Sequence, residues 1–184
     1  MSPSLLALGA LLVFGLLELT QRKGRSARSL RTSAADRGST LLIVFSYVVV
    51  ALSLGLRPGD PWIGPVFQWS FAGIAWAGAI LRLVVMRTLG AYYTRTLKVE
   101  PGQSLITIGP YRYIRHPGYL SSLMIWGGAA AASGSLLGTV IALAALLIVY
   151  VYRIRVEERM LLATMGEVYA QYRQRSWRLI PLVY

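Results

Sequence analysis

The chain of 184 residues contains no cysteine and only one histidine, His116. Without cysteine there are no disulfides, thiolate metal sites or cysteine nucleophiles. A single histidine argues against a histidine-rich zinc or di-iron centre, and we predict no metal. Acidic residues are also few, at 7 against 19 lysines and arginines. Any chemistry must therefore use oxygen-containing side chains, guanidinium groups and a bound cofactor.

Charged residues of both signs make up only 14% of the sequence, whereas hydrophobic residues make up 55%. The formal net charge is +12, but the mean hydropathy is +0.55. A soluble protein that binds nucleic acid spreads its positive charge over a polar surface, which this composition does not provide. The composition instead predicts a multi-pass integral membrane protein that contacts membrane lipid and has no nucleic acid partner.

The first 85 residues contain three apolar runs, with one charged residue among them, that are long enough for membrane spans. At about 1.5 Å per residue, a helix of about 20 residues crosses a hydrocarbon layer of about 30 Å. No basic residue precedes Leu5, so we interpret the first run as an uncleaved span rather than a signal peptide. The three runs are residues 3–20, with Glu18 as the only charge, 40–56 and 62–81.

A tight helical hairpin is predicted for the next apolar stretch. Residues 119–132 and 136–152 are separated by only three residues, and the tract 127–132 consists of glycine and alanine. Small residues let helix backbones approach closely in membranes. We therefore predict an all-α integral membrane bundle of about five transmembrane helices, in a single domain of residues 1–184.

Basic residues predict the orientation of this bundle. Seventeen of the nineteen lie in the segments 21–39, 86–118 and 153–184, and lysine and arginine accumulate on the cytoplasmic side of membranes. Five spans with the N-terminus outside place all three segments in the cytoplasm and leave Arg57 on the opposite side. Arg82, near the inner end of the third span, is expected to snorkel to the cytoplasmic face.

The segment 86–118 is too long for a simple connection between spans. It contains tyrosine and aliphatic side chains and has turn signals at Pro101-Gly102 and Gly109-Pro110. We expect it to fold onto the cytoplasmic mouth of the bundle. Its end, residues 109–119, is compatible with an aromatic and arginine belt at the membrane interface and equally with a ligand site.

A second polar cluster follows the fifth span. On a helix Arg153 and Glu157 share a face, as do Arg155 and Glu158. Such pairs are typical of a solvated helix extension. At the membrane edge, however, burying a polar group is energetically unfavourable unless the group is paired or binds a ligand. The cluster is therefore also compatible with a site for a charged ligand. After it, residues 160–172 predict an amphipathic helix on the membrane surface or over the site.

Three motifs occur in order in the second half of the chain. They are Gly109-x-Tyr111-x-x-x-Arg115-His116-Pro117-x-Tyr119, Arg153-x-x-x-Glu157-Glu158 and Gly166-Glu167-x-Tyr169-x-x-Tyr172. This combination resembles the isoprenylcysteine carboxyl methyltransferase family and its prokaryotic relatives, in a superfamily that includes phospholipid methyltransferases. The resemblance covers about residues 80–184. It divides the domain into three spans in 1–85 and a methyltransferase core in 86–184.

The resemblance implies a membrane methyltransferase that binds S-adenosylmethionine at a cytoplasmic loop. The acceptor would be a lipophilic small molecule or a lipid-tethered substrate. A missing glycine-rich fingerprint after a strand agrees with a cofactor site that is not of the Rossmann type. By resemblance, the cofactor-binding residues are Gly109, Tyr111, His116, Pro117, Tyr119 and Glu157, and the catalytic residues are Arg153 and Glu158.

Chemistry alone leaves the acceptor open. Methyl transfer from a sulfonium is an in-line displacement, so the protein must align the reactants and exclude water. A carboxylate acceptor, which we favour, needs no base. Arg153 would orient it, and Glu158 would hold Arg153 or stabilise the sulfonium. An amine or thiol acceptor needs a base, for which Glu158 and His116 are candidates.

Three other interpretations are also compatible with the sequence. One is a phospholipid or thiol methyltransferase of the same superfamily. Another is an NADPH-dependent membrane reductase, whose cofactor phosphate the cytoplasmic arginines would bind. The last is a non-enzymatic membrane scaffold, in which the aromatic and ion-paired clusters are interface anchors.

Overall fold

Six α-helices make up most of the described part of the chain. The computed structural model describes residues 2–20, 38–55, 63–90 and 105–183. Within these ranges there is no β-strand, and one isolated bridge joins Ile114 to Trp177. The all-α prediction is confirmed. The helices are α1 (Pro3–Thr20), α2 (Ser39–Ser53), α3 (Pro65–Leu89), α4 (Pro117–Ala132), α5 (Leu136–Met165) and α6 (Glu167–Gln174), and a 3-10 helix spans Gly109–Arg112.

Each of the five predicted spans corresponds to one helix, but the bounds of α3 differ from the prediction. The uncharged run ends before Arg82, whereas the helix continues to Leu89. Arg82 has partners inside the bundle, so its charge does not end the helix. Gly90 ends it instead, with a φ of +51° that glycine adopts readily.

Two helices, α3 and α5, are long and apolar enough to cross a membrane, and α1 and α2 are shorter apolar helices. The number of membrane crossings therefore stays a prediction. The orientation also stays a prediction, and eight of the seventeen basic residues behind it lie outside the described residues, in 21–37 and 91–104. Arg57 and the turn signal Pro101-Gly102 also lie outside the described residues.

Helices α3 and α4 pack at very short range. A Cβ atom at Gly128 of α4 would lie 2.8 Å from the carbonyl oxygen of Phe71 and 2.9 Å from the backbone nitrogen of Ala75. On α3, a Cβ atom at Gly78 would lie 2.8 Å from the Cβ of Met124. Glycine at these two positions therefore allows an approach that any larger residue would prevent.

The hairpin of α4 and α5 has the predicted tight turn. The Ser135 hydroxyl accepts a hydrogen bond from the backbone N–H of Gly138 at 2.9 Å and caps α5. A Cβ atom at Gly127 would lie 2.7 Å from the Cδ2 of Leu143. The small-residue tract therefore faces both α3 and α5, which confirms its predicted role in close packing.

Helices α1 and α2 pack on different parts of this core. Helix α1 contacts α3 and α4, and its residues Ala7 and Ala10 are buried there, whereas α2 contacts α5 and buries Val50. Between them a cavity remains, and it extends to the ends of α4 and α5 that carry the predicted site residues.

The predicted amphipathic helix over residues 160–172 is wrong as a single element. Helix α5 runs through the second polar cluster to Met165, and Gly166, with a φ of +53°, separates it from α6. Glycine adopts this conformation without a steric penalty. The break redirects α6, so that Tyr169 and Tyr172 are buried.

Gly128→Ala tests the contact between α3 and α4. The added Cβ atom would meet backbone atoms that cannot rotate away, so we expect the free energy of unfolding to fall by about 1–3 kcal/mol. Gly73→Ala is the matched control on α3, since nothing lies within 4 Å of its added Cβ atom, and it should not destabilise the protein. Thermal unfolding in detergent measures both, and equal melting temperatures would contradict the close approach.

Candidate active site

A cavity of about 430 Å³ opens among α1 to α5 and the 3-10 helix. This volume is typical of a small-molecule site. At its polar end it is lined by five of the predicted site residues, namely Tyr111, His116, Tyr119, Arg153 and Glu157. Its apolar part is lined by Phe14, Ile43, Val44, Tyr47, Val85 and Leu89.

Tyr119 links the two charged residues that α5 places on the cavity wall. Its hydroxyl donates a hydrogen bond to Oε2 of Glu157 at 2.7 Å and accepts one from Nε of Arg153 at 3.1 Å. The predicted shared face of Arg153 and Glu157 is present, and a phenol from α4 bridges them. A guanidinium and a carboxylate are thereby held in fixed positions beside the cavity.

Arg153 is only 2% exposed and binds hydroxyl groups from α2. Its Nη1 donates to Oγ of Ser39 and, at 3.1 Å, to Oγ1 of Thr40. A buried guanidinium is tolerated only when its N–H groups have partners. The first turn of α2 therefore helps to keep this charge inside the bundle.

The imidazole of His116 lies between the two glutamates of the second motif. Its Nδ1 is 3.7 Å from Oε2 of Glu157, and its Nε2 is 3.5 Å from Oε1 of Glu158. Among the described residues, the buried Nε2 has no hydrogen-bond partner. The ring stacks on Tyr119 with centroids 5.7 Å apart. His116 thus connects the cavity, through Glu157, with the carboxylate behind it.

Glu158 is not among the residues that line the cavity, and it bonds to two arginines, of which only Arg115 lines it. Its Oε1 accepts a hydrogen bond from Nε of Arg115 at 2.8 Å, and its Oε2 accepts one from Nε of Arg178 at 2.9 Å. Glu158 and Arg153 are five residues apart, or about 140° around the helix, so the two predicted catalytic residues face different sides. Arg155, the predicted helix partner of Glu158, is exposed. A catalytic role for Glu158 stays a prediction.

The segment 176–178 runs beside the first motif, and we call it the C-terminal strap. The N–H of Trp177 donates to the carbonyl of Tyr113 at 2.8 Å, and the N–H of Arg115 donates back to the carbonyl of Trp177 at 2.7 Å. The N–H of His116 donates to the carbonyl of Arg178 at 3.1 Å. The strap and the Glu158 carboxylate together fix the backbone that carries His116.

Gly109 and Pro117, two further predicted cofactor residues, shape the ends of the loop. Gly109 has a φ of +58° and begins the 3-10 helix, where a Cβ atom would lie 3.2 Å from Oγ1 of Thr88. Pro117 is buried in the first turn of α4, where its missing N–H breaks no helical hydrogen bond. Their backbone conformation, rather than a side-chain group, explains their place in the motif.

Tyr111 lines the cavity, and its carbonyl oxygen accepts a hydrogen bond from the Tyr172 hydroxyl at 2.6 Å. Burial raises the pKa of Tyr172 to about 12. The phenol therefore stays protonated at neutral pH and continues to donate. Through this bond α6 holds the 3-10 helix against the bundle.

Arg82 does not snorkel, and the prediction for it is wrong. Its Nε and Nη2 donate to Oε1 of Glu18 at 3.1 and 2.5 Å, and its Nη1 donates to the carbonyl oxygen of Gly118 at 3.0 Å. The side chains of Arg82 and Glu18 are only 12% and 16% exposed, and both line the cavity. A nearby carboxylate on α1 makes the interior more favourable than the membrane surface.

Sequence reasoning missed the partners that α1 and α2 supply. Glu18 had a signal, since it is the only charge in an apolar run. Ser39 and Thr40 had none, because hydroxyl residues at the start of a helix are ordinary N-terminal residues. Within the described ranges, no group of three or more histidine or acidic residues is placed to hold a metal ion.

The chain is similar to proteins of a known family. The sequence profile of the isoprenylcysteine carboxyl methyltransferase family matches residues 71–163, which span the first two motifs. The chain belongs to this family. It is 31% identical over 121 residues to the protein-S-isoprenylcysteine O-methyltransferase of Schizosaccharomyces pombe, covering 64% of this chain and 51% of that protein.

Two further relatives come from a plant and a bacterium. Protein-S-isoprenylcysteine O-methyltransferase B of Arabidopsis thaliana is 32% identical over 111 residues, which cover 58% of this chain and 55% of that protein. The YpbQ protein of Bacillus subtilis is 29% identical over 79 residues, which cover 43% of this chain and 44% of that protein. The chain thus spans about half the length of the curated relatives it matches.

The fold also matches a solved structure of the eukaryotic intramembrane Ras methyltransferase, an isoprenylcysteine carboxyl methyltransferase. The TM-score is 0.66 at 22% identity, over all of this chain and 69% of the other. The match includes α1 and α2, in which the sequence alone shows no motif. The described helices therefore have the fold of an intramembrane protein.

Glu158→Gln tests the role of this carboxylate in holding the strap. The neutral amide would remove the negative charge that Arg115 and Arg178 both contact, and breaking a buried ion pair costs about 3–5 kcal/mol. We expect a clear loss of thermal stability and faster hydrogen exchange in residues 113–116 and 176–178. Glu167→Gln, at an exposed position on α6, is the control. Equal exchange in both variants would refute this role.

Proposed function

We propose that the chain is a membrane methyltransferase that uses S-adenosylmethionine to methylate the carboxylate of a lipophilic acceptor. The observation that carries the proposal is the Tyr119 hydroxyl, which joins Arg153 and Glu157 at the polar end of an apolar cavity. This arrangement offers a cation to an anionic acceptor and an anion to a cationic donor. Family membership supports the same assignment.

The residues at the polar end suit a sulfonium cofactor. The side chain of Glu157 is 25% exposed and faces the cavity, where a carboxylate attracts a positively charged ligand. Tyr111 adds an aromatic ring, and His116 adds an imidazole that lies beside Glu157 on the cavity wall. We infer that these three residues and Tyr119 hold the cofactor, with Gly109 and Pro117 shaping the loop. When bound, S-adenosylmethionine supplies an electrophilic methyl group.

The acceptor class is inferred from the apolar part of the cavity and from the relatives. Two of the relatives are named protein-S-isoprenylcysteine O-methyltransferases, and the product of such a reaction is a methyl ester of a lipidated cysteine. Apolar side chains of α1, α2 and α3 suit the lipid part of such an acceptor. Arg153 suits its carboxylate, because a guanidinium binds a carboxylate in a fixed orientation.

Each group at the polar end has a role that requires no proton transfer. A carboxylate acceptor is already ionised, so the site needs to orient it and to keep water away from the reacting atoms. Arg153 orients the acceptor, and its hydroxyl partners on α2 keep the guanidinium in place. Glu158 acts as a positioning residue through Arg115 and the strap.

The membrane arrangement that fits this function has five spans with the N-terminus outside. The polar end of the cavity then faces the cytoplasm, which contains the soluble cofactor. The acceptor enters sideways from the bilayer, since Val44 lines the cavity and is also 56% exposed on the outer face of α2. The two substrates therefore reach the site from different phases.

Tyr119→Phe tests the cofactor site. The variant lacks the hydroxyl that fixes Glu157, and losing a hydrogen bond to a charged group costs about 1.5–3 kcal/mol. Calorimetric titration with S-adenosylhomocysteine should show a Kd raised by about tenfold or more. Tyr113→Phe, whose ring is 61% exposed, should bind like the wild type. Failure of the wild type to bind at high micromolar ligand would refute the proposed cofactor.

Arg153→Ala tests the acceptor site separately. It should abolish methylation of an S-farnesylcysteine while leaving the Kd of S-adenosylhomocysteine nearly unchanged, because the arginine is assigned to the acceptor. Arg155→Ala, two residues further along the same helix and exposed, should retain turnover. Methyl transfer is measured with radiolabelled cofactor, and unchanged turnover in Arg153→Ala would remove this role.

A further inference from the structure

Three aromatic rings close the apolar end of the cavity. Phe14 of α1 and Tyr47 of α2 line it, with ring centroids 6.1 Å apart and planes at 83°. Trp126 of α4 lies against both, stacked on Tyr47 at 4.7 Å and edge-on to Phe14 at 6.1 Å. These are preferred aromatic geometries. We call the three rings the aromatic floor.

Behind the aromatic floor the side chains of the bundle are closely packed. Ala79 of α3 and Ile125 of α4 pack directly against Phe14 and are at most 3% exposed. On the side of α2, the Tyr47 hydroxyl accepts a hydrogen bond from the Tyr150 hydroxyl at 3.3 Å. Tyr150 itself is fully buried. A chain that enters the cavity therefore meets packed side chains at the floor.

The distance from the polar end to the floor is short. Thr40, which bonds Arg153, and Tyr47 are about 10 Å apart along α2 at about 1.5 Å per residue. The wall between them includes the apolar side chains of Ile43 on α2 and Val85 on α3. The paired guanidinium of Arg82 also lines the cavity, 5.3 Å from the centroid of the Phe14 ring. An acceptor whose carboxylate lies at Arg153 has room for a short apolar chain above the floor.

We propose that Phe14 and Tyr47, backed by Trp126, select acceptors by the length of their apolar chain. The proposal rests on the proposed function, because it takes the polar end as the place of the acceptor carboxylate. Short isoprenoid chains then fill the pocket, whereas longer chains must displace a ring or leave between α1 and α2. The substrate class is a carboxylate with a short branched or isoprenoid chain.

Binding of S-geranyl, S-farnesyl and S-geranylgeranyl N-acetylcysteine tests the proposal without requiring turnover. Affinities are measured on detergent-solubilised protein saturated with S-adenosylhomocysteine. In the wild type we expect the geranylgeranyl compound to bind about tenfold more weakly than the geranyl compound. Phe14→Ala, and to a lesser extent Phe14→Leu, should reduce or reverse this difference by opening the floor.

Phe45→Ala is the matched control, since Phe45 lies on α2 near Tyr47 but is 64% exposed. It should keep the wild-type order of affinities. An unchanged order in both Phe14 variants with cofactor affinity retained, or an equal change in Phe45→Ala, would overturn this proposal alone. If the wild type binds none of the three compounds, the acceptor class of the proposed function fails, and the floor has no such role.

Discussion

A buried guanidinium and a half-buried carboxylate on one helix of an apolar bundle determine most of the arrangement around them. Arg153 and Glu157 are carried by one helix, and the Tyr119 hydroxyl satisfies both. Neither charge is tolerated in such surroundings without partners, so nearby elements must supply them. The start of α4 and the start of α2 therefore meet at this point, and the cavity lies where they meet.

Helices that carry family motifs and helices that carry none contribute different groups to the cavity. Helix α5 carries Arg153 and Glu157, and α4 carries the Tyr119 hydroxyl that bridges them. Helices α1 and α2 supply partners to two arginines, through Glu18 to Arg82 and through Ser39 to Arg153. The first two helices also line the apolar part of the cavity. In the proposed function, the motif residues take part in the chemistry, and the remaining helices define which acceptors reach them.

Sequence patterns predicted the helices well because each apolar run is long and clearly bounded. They failed at single residues whose environment depends on another helix. Arg82 was expected at the surface because no local residue offers it a partner, and Glu18 lies 64 positions earlier. The break at Gly166 was missed because the apolar spacing continues through it. In the site, five of the eight residues predicted from the motifs line one cavity, whereas Glu158 faces another side of α5 and its partners could be found only in the folded chain.

The strap has a consequence for the order in which the site forms during synthesis. Residues 113–116 are made before α4 and α5, but their backbone partners at residues 176–178 are made only after all five apolar helices. Insertion of the helices into the membrane therefore comes before completion of the loop that carries His116. The chain acquires a finished site last, when it is already embedded beside the lipids from which its acceptor would come.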